Sequence, residues 1–172
     1  MPTLSVFAGP NGSGKSTFVA RYSFEGKENL LDPDAVAKRI NPSDPSAAAI
    51  EAAREVIVRE REYLKRGRSF AIETTLSGNI ALATMKLAKQ TGFSVRLVYI
   101  CLDNPGLNAQ RVGERVSRGG HNVPGAAAIR IADEAIGYDN TDDAPRKVFE
   151  ARQGAVTWRS SNLPAWARPS LD

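Results

Sequence analysis

Gly9-Pro10-Asn11-Gly12-Ser13-Gly14-Lys15-Ser16, followed by Thr17, fits the pattern G-x-x-x-x-G-K-[ST] at every position. The glycines let the backbone curl with its N–H groups pointing inward, and the nest so formed at a helix N-terminus holds phosphate oxygens. In this pattern Lys15 reaches the β and γ phosphates, the Ser16 hydroxyl ligates magnesium, and Thr17 is placed to donate to the α phosphate. Gly9 to Thr17 are therefore the expected cofactor-binding residues, with Ser16 the expected metal ligand. A chance glycine-rich turn is the bland alternative, and the flanking sequence opposes it. Leu4, Val6 and Phe7 form a short apolar run that stops at Gly9, and Ser16 to Arg21 can open a helix. Nucleotide binding follows from the motif; a reaction does not yet.

Strands and helices alternate further along the chain. Asn29-Leu30-Leu31 is a poor strand by length, but it stops at Asp32-Pro33-Asp34, where Pro presets a turn or a helix's first position. Pro45 to Arg66 is the clearest helix, with Ile50, Ala53, Ile57 and Leu64 on one stripe and Gly67 as its stop. Ser69 to Glu73 is a strand ending in a carboxylate, and Asn79 to Gln90 is a helix with Ile80, Ala83 and Leu87 on one face. Ser94 to Leu102 is the longest apolar strand, of the kind found at the centre of a sheet covered on both faces. Pro105 to Arg118 is a helix broken by Gly119-Gly120, and Ile136 to Tyr138 gives a further strand. Lys147 to Arg152 and Ala155 to Trp158 flank Gln153-Gly154 as a hairpin. This alternation predicts an α/β fold with a mainly parallel sheet and flanking helices. Ligands of such sheets bind beyond the carboxyl ends of the strands, which nominates Gly9 to Thr17, Asp32 to Asp34, Glu73 to Thr75 and Asp103 as one crevice.

At 172 residues the chain suits one domain over 1–172, with a lid-like segment around 105–131 and a C-terminal hairpin around 147–158. A single cysteine, Cys101, excludes an internal disulfide, and its apolar strand suits a small core residue better than a nucleophile. No run of 18 or more apolar residues could span a bilayer, and the opening residues lack a secretory signal, so a cytoplasmic location is expected. The net charge of +4 is unevenly spread: residues 105–131 carry Arg111, Arg115, Arg118 and Arg130 against Glu114 alone. Without a basic tail or interleaved aromatics, this suggests an anionic small molecule at least as well as a nucleic acid.

Phosphoryl transfer needs a group to orient the acceptor hydroxyl and cations to cover the transferring phosphate. Asp34 could accept a proton from that hydroxyl, or simply serve as a first-turn helix acid. Glu73 could hold a magnesium-bound water or a substrate group, or be an ordinary strand-end carboxylate. Asp32 suits a turn former beside Pro33. Arg111, Arg115 and Arg118 share a helix face that could close over phosphates, the alternative being a solvated charged face. His121, in a glycine-to-proline loop, is a poor metal candidate without a second ligand nearby. Trp158 and Trp166 could cover the C-terminal edge or shape an adenine pocket.

Together the motifs resemble the zeta toxin family of P-loop kinases. The matching stretches are Ala8 to Thr17, Leu31 to Val36 with Asn41-Pro42, Ile72 to Gly78, and Arg111 through Gly119-Gly120-His121 to Pro124. Their order and combination are more specific than the first stretch alone. The resemblance implies a P-loop NTPase sheet of the nucleoside-monophosphate-kinase type, ATP with Mg2+ as donor, and a nucleotide sugar such as UDP-N-acetylglucosamine as acceptor. It makes Asp34 the counterpart of the base and gives Lys15, Arg111 and Arg118 the stabilisation of the transferring phosphate. Glu73 and Thr75 line the acceptor side, joined by Arg39 and Arg115 as expected substrate-binding residues. It also implies a small helical antitoxin as a partner. In relatives the stretch to Pro124 leads into a longer arginine-bearing helix, which here is shortened and leaves the role of Arg130 open. A nucleoside or polynucleotide kinase, and an ATP-binding module without turnover, are the alternatives.

Overall fold

The structure, a computed structural model, describes residues 1–76, 78–103 and 126–171. In order it forms β1 (Thr3–Ala8), α1 (Lys15–Arg21), β2 (Leu30–Leu31), α2 (Pro33–Ile40), α3 (Ala49–Arg66), β3 (Phe70–Thr74) and α4 (Asn79–Gln90). There follow β4 (Ser94–Cys101), α5 (Ala126–Ile131), β5 (Glu134–Asp139), β6 (Arg146–Arg152), β7 (Ala155–Arg159) and α6 (Arg168–Leu171). No helix among the described residues is long and apolar enough to cross a membrane.

Successive side chains of a strand point to opposite faces of a sheet, and in the central strands both sets are apolar. Leu4, Val6 and Ala8 of β1, Phe70 and Ile72 of β3, and Val95, Leu97, Tyr99 and Cys101 of β4 bury on one face. Phe7, Ala71, Val98 and Ile100 bury on the other, under Phe18 and Val19 of α1. A sheet apolar on both faces must carry helices on both, the arrangement of parallel α/β folds. The seven strands run in the order β2-β3-β1-β4-β5-β6-β7. The first five are parallel, and β6 and β7 add antiparallel at one edge. Ala8 pairs with Thr74 of β3 and Tyr99 of β4, and Cys101 pairs with Asp139 of β5, so the carboxyl ends form one rim.

In two helices most of the apolar stripe that the spacing predicts faces outward, Leu64 of α3 excepted. In α3 the buried row is Ala52, Val56, Glu60 and Leu64, while Ile50 is 71% exposed. In α4 it is Ala81, Thr84, Met85 and Ala88, and Ile80 is 69% exposed. The small residues Ala52, Ala81 and Ala88 let the helix backbones approach their neighbours closely, and close packing outweighs the count of larger apolar residues. The α3 helix also starts later than expected, because residues 45–48 form turns before Ala49. Gly67, at φ +61°, ends it, its N–H donating to the Leu64 carbonyl. The β5 strand extends beyond the expected Ile136 to Tyr138 at both ends. Gln153 and Gly154 form the turn between β6 and β7.

Candidate functional site

The loop after β1 leaves the sheet where three strands end together, the Gly9 N–H donating to the Thr74 carbonyl at 3.2 Å. Ser13 N–H closes the loop onto the Pro10 carbonyl at 3.3 Å, and α1 begins directly after Gly14. No side chain caps α1 and no acid stands in its first turn. Its leading N–H groups and the positive end of its dipole are therefore free to meet an anion. The Ser13 hydroxyl is fully buried and has no hydrogen-bond partner among the described residues. An uncapped helix start beside an unpaired buried hydroxyl is chemistry that suits phosphate oxygens.

Lys15 is buried, and its Nζ donates to the Pro10 carbonyl at 3.0 Å. Burial holds its ammonium below the ordinary lysine value, and the carboxylates of Glu73, Asp34 and Asp32 act against that shift. These three acids follow the carboxyl ends of β2 and β3, on the side of the sheet where the loop begins. Glu73 is half-buried, and its Oε1 accepts from the Ser16 hydroxyl at 2.9 Å. Burial raises the Glu73 carboxyl above its usual value, with Asp32 and Asp34 adding to the effect and the Ser16 hydroxyl and Lys15 opposing it. The Ser16 and Glu73 oxygens together suit a hard cation such as Mg2+, which takes few protein ligands and keeps several waters.

Asp32 caps α2, accepting the Asp34 N–H at 2.9 Å, with Pro33 in the first helical position. Asp34 stands exposed in that first turn. Thr75 is half-buried one residue beyond β3, and Thr17 is exposed on α1. Arg39 lies on α2 and pairs with Glu55 of α3. Arg111, Arg115, Arg118 and His121 lie outside the described residues. Of the lid-like stretch 105–131, residues 126–131 form α5 against α4 and β4. Arg130 lies beside the β6–β7 turn, where Gln153 N–H bonds the Asp133 carbonyl at the start of β5. It therefore sits at the opposite end of the sheet from the phosphate loop. Cys101 is buried with its thiol pushed up to about 12 by burial, a core residue and no nucleophile at neutral pH. Trp166 is buried against Tyr99, and Trp158 is exposed on β7 with the Lys147 ammonium over its ring.

Sequence reasoning missed Asn140. Its Nδ2 donates to the Ser13 carbonyl at 2.9 Å, and its N–H bonds the Cys101 carbonyl, so it ties the loop to the ends of β4 and β5. A side chain at Gly14 would overlap that amide. The rule that ligands gather at carboxyl ends of strands was the available signal, since Asn140 directly follows β5.

Comparison with known proteins agrees with this fold. A family model described as AAA domain matches residues 4–134. An uncharacterized protein of Haemophilus influenzae is 39% identical over 117 residues, 68% of this chain and 83% of that one. Among solved structures, one from the PezAT chromosomal toxin-antitoxin system of Streptococcus pneumoniae superposes with a TM-score of 0.64 at 17% identity. The match covers 87% of this chain and 71% of that one. The crystal structure of AvrRxo1-ORF1:-ORF2 with ATP superposes with a TM-score of 0.61 at 16% identity, over 91% of this chain and 60% of that one. The fold is that of a P-loop kinase, and the likeness to zeta toxins read from the motifs holds for it.

Proposed function

The chain belongs to the AAA domain family, and on that premise we propose that it is an ATP- and magnesium-dependent small-molecule kinase of zeta toxin type. Residues 1–172 act in this reading as one P-loop kinase domain. The observation that carries it is the uncapped phosphate loop with its buried Lys15, next to which Ser16 donates to Glu73 from the end of β3. Such a site supplies charge neutralisation and an oriented acceptor, which is most of what phosphoryl transfer asks of a protein.

Residues Gly9 to Thr17 hold the triphosphate, Ser16 with Glu73 holds Mg2+, and Lys15 covers the developing charge. Bound there, ATP supplies the γ-phosphoryl group and leaves as ADP. Asp34 takes the proton from the acceptor hydroxyl, whose oxygen forms the new bond to phosphorus. In this reading Arg111 and Arg118 supply positive charge to stabilise the transferring phosphate, while Glu73, Thr75, Arg39 and Arg115 bind the acceptor. The acceptor is a sugar hydroxyl of a nucleotide sugar such as UDP-N-acetylglucosamine, a small helical antitoxin is the regulatory partner, and the cytoplasm is the site of action.

The test is transfer of labelled γ-phosphate from ATP to nucleotide sugars, nucleosides and oligonucleotides by the parent and by Asp34→Asn. Transfer to the sugar nucleotide, lost by at least about a hundredfold in kcat in the variant with ATP binding intact, is the expected result. Equal rates would remove Asp34 from the role, and tight ATP binding with no transfer would make the chain a binding module.

A further inference from the structure

Behind Glu73 lies a cavity of about 230 Å³ between β3, α3 and the start of α4. Its walls are mainly apolar, with Leu31, Ala53, Ile57, Leu76 and Ile80 contributing. Its polar side chains are Glu60, Glu73 and Thr74, and no Lys or Arg lines it among the described residues. Pro33, between Asp32 and Asp34, borders it as well, and Glu73, which accepts from Ser16 of the phosphate loop, lines it.

Glu60 is the unusual member. It is 8% exposed, in the same buried row as Ala52, Val56 and Leu64. Its one hydrogen-bond partner among the described residues is the Thr84 hydroxyl, at 3.1 Å to Oε2. A carboxylate has room for about four such bonds, and a buried one without a cation costs the fold stability that an apolar residue would not. Burial accordingly pushes its carboxyl above the usual value, with Thr84 and the Arg61 charge opposing. Packing of the row does not call for an acid, whereas recognition of a ligand does.

We infer that the cavity takes an apolar-faced ring of the phosphate acceptor and that Glu60 accepts a hydrogen bond from an N–H of that ring or of its side chain, with the acceptor's phosphates kept outside. The inference rests on the kinase reading for the word acceptor, but the binding itself does not. A site that hydrogen-bonds a buried donor rejects the analogue lacking it far more strongly than an apolar pocket rejects a missing methylene. Glu60 is thus a specificity-determining residue.

Ligand-observed NMR on the ATP-free protein tests this without turnover. The probes are uridine, N3-methyluridine, tyramine and glycerol 3-phosphate, against the parent, Glu60→Gln and Glu60→Met. Uridine or tyramine should bind the parent while N3-methyluridine and glycerol 3-phosphate do not. Glu60→Met should weaken the bound probe at least about tenfold and melt no lower than the parent. Glu60→Gln should spare a neutral ring N–H and lose an ammonium, separating the two sources of the donor. Equal binding to parent and Glu60→Met, preference for glycerol 3-phosphate or N3-methyluridine, or no binding of either donor-bearing probe to the parent would overturn the inference. Glu60-dependent binding without phosphate transfer would keep the cavity assignment and sink the kinase reading instead.

Discussion

Replacing Gly9 by alanine tests whether the geometry at the end of β1 sets the phosphate loop. Gly9 adopts φ +148° and sits against the backbone of β4. A Cβ there overlaps the Ile100 carbonyl oxygen and stands 3.0 Å from its carbon and 3.1 Å from Ser13 Oγ. Ile100 is fully buried in a strand paired on both sides, so the neighbour that must yield is main chain held in a ladder. The positive φ costs a non-glycine residue about 1–3 kcal/mol, and forced overpacking adds about 1–3 kcal/mol. A loss of about 4 kcal/mol corresponds to a Tm lower by about 8–16 °C for a chain of this size.

Gly67→Ala is the matched control. That glycine is also at positive φ, +61°, but a Cβ there meets nothing within 4 Å. Only the left-handed penalty of about 1–2 kcal/mol applies. Thermal melts with and without ATP–Mg2+ read both consequences, because a ligand at about 100 times its Kd stabilises by about 2.7 kcal/mol. Gly67→Ala should keep the parental ATP-induced shift, and Gly9→Ala should lose most of it at the same nucleotide concentration. If Gly9→Ala melted within the range of Gly67→Ala and kept the full ATP shift, close approach at Ile100 would not be what shapes the loop.

Lys15→Met should abolish the ATP-induced shift while leaving the ligand-free Tm within a few degrees, since the lost bond to Pro10 is offset by removing a desolvated charge. The pH dependence has a defined sign: the folded state releases this proton more readily than the unfolded chain, whose value is near 10.5. Parental stability should therefore rise relative to Lys15→Met as pH climbs toward 10.5, and parallel urea-denaturation curves across that window would refute it. Asn140→Ala removes the bond to the Ser13 carbonyl, worth about 1 kcal/mol, and should raise KM for ATP about fivefold with kcat nearly unchanged; a matching fall in kcat at constant KM would mean Asn140 does not position the loop.

What was legible in the sequence follows the range of the interactions. The phosphate loop is local, because the strand, the glycines, the lysine and the helix start lie within some twenty consecutive residues and their chemistry dictates their spacing. The central strands are legible for a related reason, since a sheet covered on both faces needs nearly continuous apolar runs, and β4 has the longest. The pairing of Asn140 with Ser13 spans 127 residues and leaves no local pattern. Leu30-Leu31 is too short to announce itself as a strand and exists through its parallel pairing with Ala71 and Ile72. Of the expected site residues, those of the loop, Asp34 and Glu73 lie along the carboxyl rim. Arg39 pairs with Glu55, a partner on a helix whose orientation only the packing decides.

The misassigned helix faces have a physical consequence for function. Periodicity counts apolar side chains, and it selects Ile50, Ala53, Ile57 and Leu64 of α3 and Ile80, Ala83 and Leu87 of α4 for the core. Packing selects Ala52, Val56, Ala81 and Met85 instead and keeps Leu64; of the residues displaced, Ala53, Ile57 and Ile80 line the cavity beside Glu73, together with the buried Val56 and Ala81. Apolar side chains left facing a cavity forgo burial worth about 1.5–3 kcal/mol for each large one. A ligand with an apolar face would recover part of that burial on entering. The departure from the simplest amphipathic pattern therefore marks the same volume that the buried acid of α3 marks, by an independent route: one through apolar surface left unburied, the other through a charge that packing alone would exclude.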